Sequence, residues 1–175
     1  MRIRSFHATV LAGACLAASA GFGSAAAQTA SSDKPFARVA AFDHQVTGVT
    51  VAKDGRVFVS FPRWTEDSPV SVAEVMKDGS IRPYPDGAWN AWRNAKKDEM
   101  PAREHWVCVQ SVVADRHGNL WVLDPAAPAQ GAVVPGGAKL VRIDLASDKP
   151  AQTIPFGPDV APQGSYLNDV RFSPD

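Results

Sequence analysis

Three pairs of polar or tiny residues could do chemistry together: Thr47-Gly48, Gln110-Ser111 and Asn168-Asp169, each standing just before or within an apolar run. Hydroxyl, amide and carboxylate oxygens brought together from separate segments can hold a hard cation such as Ca²⁺, or can hydrogen-bond the polar groups of a small organic molecule. Gln110, Asn168 and Asp169 are therefore candidate ligand-binding residues, with Asn168 and Asp169 as candidate metal ligands. Their alternative role is local, since Asn and Asp at the start of a strand also satisfy nearby backbone groups. Trp64 and Trp89 offer flat apolar surfaces on which an aromatic ligand could stack, or which simply pack. His44, His105 and His117 share no metal-ligand spacing, and the sequence carries no GxSxG, no HExxH and no phosphate-cradling glycine loop. Cys108 reads as a small buried apolar residue, with His105 and Arg103 nearby as weak support for a reactive thiol.

What must position these residues is a repeat. The stretch VTGVTVAKDGRVFVSF at 46–61 returns without a gap as VQSVVADRHGNLWVLD at 109–124, with Gly55 falling on Gly118, Phe58 on Trp121 and Val59 on Val122. Each copy is an apolar, β-branched run, a glycine-containing turn and a second apolar run, the pattern of a hairpin of two buried strands. Asp54-Gly55 supplies the positive φ that such a turn needs. A third copy begins in LNDVRFSPD at 167–175, where Val170 takes the place of Val112 and Phe172 that of Ala114. Two further short strands follow each complete hairpin, at 70–76 and 80–84 in the first unit and at 138–145 and 151–156 in the second.

Four-stranded units repeated around an axis make a β-propeller, so the expected class is all-β, with two blades and the start of a third. A closed ring needs at least about four blades, and the chain is accordingly expected to be the N-terminal part of a longer protein. In such a ring the three polar pairs stand where the innermost strands begin, around a central channel. The expected division is a blade at 42–86, an aromatic helical insertion at 87–106, a blade at 107–157 and the next blade from 165 to 175. Asp86 is placed to cap the inserted helix, with Trp89 and Trp92 on one face. The loops at 62–69 and 125–137 are rich in proline and turn formers.

The first residues read as a targeting segment. Arg2 and Arg4 precede an apolar stretch of small residues at 8–23, and Ala25-Ala26-Ala27 ahead of Gln28 offers a small-residue cleavage site. Residues 1–27 are thus expected to be a signal peptide, making the protein exported, periplasmic or secreted, with no membrane attachment after cleavage. Residues 28–41 form a polar leader, with 38–42 a candidate ring-closing strand if the rest of the protein supplies its neighbours. Formal charge over the whole chain is +0. Without a basic stripe interleaved with aromatics, nucleic acid is not an expected partner.

GNLWVLDPA at 118–126, AKLVRIDLAS at 138–147, SYLNDVRF at 165–172 and RPYPDGAWNAW at 82–92 together resemble the Yellow / major royal jelly protein family, in particular its bacterial members. The resemblance runs from Phe42 to the end. It implies a secreted six-bladed propeller, in a family whose insect members include dopachrome-converting enzymes, storage proteins and salivary binders of biogenic amines. The cysteine that often precedes LWVLD in the insect proteins is replaced here by Asp115-Arg116-His117-Gly118, so the insect disulfide pattern does not carry over. Three functions stay open. One is an enzyme, either a dopachrome-type isomerase or tautomerase or a metal-dependent lactonase like gluconolactonase. The others are a non-catalytic small-molecule (amine) binder and an interaction scaffold.

Overall fold

The computed structural model describes residues 36–65 and 67–173. The signal-peptide reading of 1–27, and most of the leader, fall outside the described residues. From Arg38 the chain forms one compact unit. It is built of two antiparallel four-stranded sheets, each a meander in chain order. The first holds β1 (Gly48–Val51), β2 (Val57–Ser60), β3 (Val72–Val75) and β4 (Ile81–Pro83); the second holds β5 (Ser111–Ala114), β6 (Asn119–Asp124), β7 (Lys139–Asp144) and β8 (Lys149–Pro155).

The repeat seen in the sequence sets the register. Val49 pairs with Val59 in the first sheet, and the matching Val112 pairs with Val122 in the second. On the third strands, Val59 faces Ala73 and Val122 faces Val141, so the second unit is longer across its β6–β7 connection. Gly55 and Gly118 take φ of +88° and +83° at equivalent places in the two hairpins, conformations that cost a side-chain-bearing residue.

The sheets pack face to face. Side chains alternate along each strand, and one set from each sheet meets in a shared core: Phe58, Val72 and Tyr84 from the first, Val112, Leu120, Val122, Val141 and Ile143 from the second. All are nearly or fully buried. Full burial of side chains this size contributes about 1.5–3 kcal/mol each. Two polar seams flank this core. On the β1–β5 side, Thr47 Oγ1 donates to the carbonyl of Gln110 at 3.0 Å and the amide of Ala114 donates to Thr50 Oγ1 at 3.0 Å. Gly48 lies between them, and a Cβ there would stand 2.6 Å from Ser60 Oγ and 3.0 Å from the Val112 amide nitrogen. The other seam is ionic. Arg56 donates to both carboxylate oxygens of Glu74 in its own sheet, and to Asp148 at 2.8 Å and the Leu145 carbonyl at 3.1 Å in the β7–β8 turn.

Three segments take a form other than regular strand or α-helix. Residues 38–42 carry no ladder to the described strands, and Ala40 and Phe42 cover a face of the first sheet over Val59, Phe61, Ala73 and Val75; the ring-closing strand is expected only with neighbours from further along the protein. Phe42 meets Phe61 edge-on at 5.4 Å. An apolar segment can bury itself on a sheet face as well as at a sheet edge, and alternation alone does not distinguish the two. The insertion at 87–106 contains no α-helix, only 3₁₀ turns at Asn94–Lys96 and Ala102–Glu104. Asp86 does accept the amide of Trp89 at 2.9 Å. However, Asn90 is drawn down to the sheet, its Oδ1 accepting the amides of Ser71 and Val72 and its Nδ2 donating to the carbonyls of Tyr84 and Asp86. That leaves Trp89 against the intersheet core and Trp92 in a separate cluster, rather than on one helical face. Finally, residues 165–173 form no strand. They reach β5 through side chains, Gln110 to Asn168 and Ser111 to Asp169.

Candidate functional site

The three polar pairs converge. Thr47 and Gly48 from the start of β1, Gln110 and Ser111 from the start of β5, and Asn168 and Asp169 line one cavity of about 290 Å³, together with Thr50 and Arg171. Equivalent positions touch their successors. Thr47 Oγ1 reaches the backbone of Gln110, Gln110 Nε2 donates to Asn168 Oδ1 at 3.4 Å, and Ser111 Oγ donates to Asp169 Oδ1 at 2.7 Å.

What holds β5 in this position is a buried ion pair. Asp124, at the end of β6, accepts the amides of Val107 and Cys108 at 2.7 and 3.0 Å and so fixes the segment leading into Gln110. Its Oδ2 also meets Lys139 Nζ at 3.0 Å, and both side chains are fully buried. Lys139 donates in addition to the carbonyls of Ala102, His105 and Gly137. Burial pulls the ammonium below its ordinary range, while Asp124 pushes it back up. Arg63 is a second buried cation, donating to the carbonyls of Trp106 and Val107. Burial lowers its pKa to about 10.

Asp169 carries the negative charge of the cavity. Slight burial raises its pKa, but hydrogen bonds from Ser111, the Val170 amide and Arg171 outweigh this and hold the carboxyl below its usual range. All three donors fall on Oδ1. Such a carboxylate, already engaged by a guanidinium, is a poor ligand for Ca²⁺, which needs about 6–8 oxygens. Among the described residues no group of three His, Cys, Asp or Glu side chains comes close enough to hold a metal ion.

Trp64 does not line the cavity. Its indole N–H donates to the hydroxyl of Tyr166, and Tyr166 in turn bonds Gln110 Oε1 at 3.2 Å, so the tryptophan is joined to the polar row from behind. Trp89 lies elsewhere, stacked on Trp106 with ring centroids 4.4 Å apart. His105 Nδ1 is within 2.9 Å of the Pro101 carbonyl, and His117 sits exposed in the β5–β6 turn. Cys108 is a buried free thiol whose pKa burial pushes up to about 11.

Sequence reasoning missed Tyr166, Lys139 and Arg63. Tyr166 stands in the third copy where Cys108 stands in the second, 58 residues apart, a correspondence that flags it as facing the same region. Lys139 and Arg63 gave a weaker signal: Arg63 is a cation just after the apolar run at 57–61, and Lys139 opens a strand that also holds Arg142 and Asp144.

Comparison with protein-family models and with curated proteins yields no match to this chain.

Proposed function

We propose that this chain forms two blades and the beginning of a third of an exported β-propeller of the Yellow / major royal jelly type, which takes a small organic molecule into the cavity at the start of its repeated inner strands. One observation carries the proposal. The residues at corresponding positions of three successive units, 47 with 110 and 168, and 48 with 111 and 169, converge on a single polar cavity instead of scattering over the surface. Face-to-face packing of the two sheets, with β1 beside β5, is the arrangement neighbouring propeller blades adopt. The RPYPDGAWNAW, LWVLD and YLNDV segments supply the family resemblance.

Calorimetry of the full chain with a catecholamine, a dopachrome-type indoline and a six-membered sugar lactone tests this reading. Asn168→Ala and Asp169→Ala are expected to abolish the binding heat and leave the melting temperature within a few degrees of the parent. Lost stability with unchanged affinity in the folded fraction would make the pair structural strand-start residues and reject the site. Turnover of a bound compound assigns an isomerase or a lactonase, and binding without turnover assigns a carrier.

A further inference from the structure

Trp64, Tyr166, Gln110 and Asn168 form a single file of hydrogen bonds with a definite direction. An indole N–H donates and never accepts, so the Tyr166 oxygen accepts from Trp64 and must send its own proton onward. Two acceptors lie within reach, Gln110 Oε1 at 3.2 Å and Cys108 Sγ at 3.7 Å. The amide oxygen is the stronger of the two. Gln110 is thereby held with its oxygen toward Tyr166 and its Nε2 toward Asn168 Oδ1. Asn168 gives its oxygen to the protein and keeps Nδ2 as a donor on the cavity wall. Thr50 repeats the pattern: its Oγ1 accepts the Ala114 amide, which leaves the hydroxyl proton to the cavity.

We infer that the cavity recognises its ligand through a hydrogen-bond acceptor, a carbonyl or carboxylate oxygen set against Asn168 Nδ2 and the Thr50 hydroxyl, with Trp64 and Tyr166 acting as positioning residues that set this polarity from behind. The inference rests on the small-molecule reading of the cavity and names the ligand class that reading leaves open. A hard cation requires the opposite polarity, with oxygen lone pairs facing inward. Reversing the file would require the indole to accept or the tyrosine proton to turn to sulfur.

Side-chain amide exchange in the ¹⁵N-labelled full chain tests the direction without any ligand. Both Nδ2 protons of exposed Asn168 are expected to exchange at open rates, whereas one Nε2 proton of Gln110 is protected; a protected Asn168 proton overturns the inference, because Asn168 would then be donating to Gln110. Calorimetry tests the ligand class with three probes: a six-membered sugar lactone, the same ring with a methylene in place of the carbonyl, and calcium chloride. The lactone is expected to bind about tenfold tighter than the ring lacking the carbonyl, the effect of one hydrogen bond missing from the complex. Asn168→Asp, which replaces the donor with an acceptor of the same shape, and Tyr166→Phe, which cuts the file, are each expected to erase that preference. A preference surviving in both variants, or calcium binding tighter than the lactone, overturns the inference. Lactone binding with a protected Asn168 proton keeps the small-molecule reading and rejects the polarity, whereas open Asn168 exchange with no heat from either ring compound rejects both the reading and the ligand class.

Discussion

Thr47 and Gln110 occupy the same position in successive units, and the hydroxyl of the first donates to the backbone carbonyl of the second at 3.0 Å. Here one copy of the repeat hydrogen-bonds directly to the next at corresponding places, so contact between sheets and formation of the site are the same event.

That seam predicts two substitutions. Thr47→Val removes the hydroxyl at constant shape and is expected to lower stability by about 1 kcal/mol. Gly48→Ala forces a methyl against the Val112 amide nitrogen, backbone that cannot swing away, and is expected to cost about 1–3 kcal/mol. Urea denaturation of both variants measures the losses. A neutral Gly48→Ala would mean that β1 and β5 stand further apart than described.

Lys139→Met is expected to be the more damaging change, at about 3–5 kcal/mol. The loss arises chiefly because Asp124 is left buried without its cation, although it keeps the amides of Val107, Cys108 and Ala126. Asp124→Asn should lose less, because its carboxamide oxygen still accepts some of those amides. Chemical denaturation of the two variants side by side checks the order.

Alkaline pH should act through Cys108. Burial raises its pKa above the ordinary 9.0, to about 11, so in this interval the folded chain holds a proton that the unfolded chain releases. Stability contributed by this group is complete below pH 9.0 and is lost as pH rises through about 11. Lys139 works in the other direction, since burial depresses its ammonium. Comparison of the parent with Cys108→Ala therefore isolates the thiol: the difference in stability should fall steadily over that range, and a flat difference would contradict the assignment. The same shift makes Cys108 inert to iodoacetamide in the native protein at pH 8, because alkylation needs the thiolate.

The proposed export predicts a defined N-terminus. Ala25 and Ala27 satisfy the small-residue rule ahead of Gln28, so intact mass spectrometry of the secreted protein should find Gln28 as the first residue. A lipid-modified Cys15 would contradict the cleavage site.

The hairpins were legible because their signal is local: a turn glycine with strand residues on either side recurs at a constant spacing, and both four-stranded sheets follow from that repeat. The segments at 38–42 and 165–173 read as strands because they carry strand composition, yet a strand exists only with a ladder partner, and composition says nothing about whether one is present. The segment at 87–106 had helical spacing between Trp89 and Trp92, but Asn90 between them bonds the backbone of a strand, a choice made by tertiary contact over local propensity. For the site, the polar pairs could be found by aligning the copies. The direction in which Asn168 points could not, because it is set by Trp64, 102 residues before the tyrosine that relays it.

The ionic seam has a consequence for the order of assembly. Arg56 meets Glu74 18 residues later, but its other carboxylate, Asp148, comes 92 residues later. The first sheet is complete at Pro83, so at roughly 5–20 residues per second on the ribosome it stands for roughly 3–13 s with Phe58 and Val72 still uncovered before Asp148 arrives. Through this interval Glu74 is the partner that keeps the guanidinium at the sheet's rim, aligned for a turn not yet synthesised. Slow codons between the two units would lengthen the exposure, and loss of Glu74 would leave the nascent sheet with a charged arm free to swing away from the place where its second half must dock.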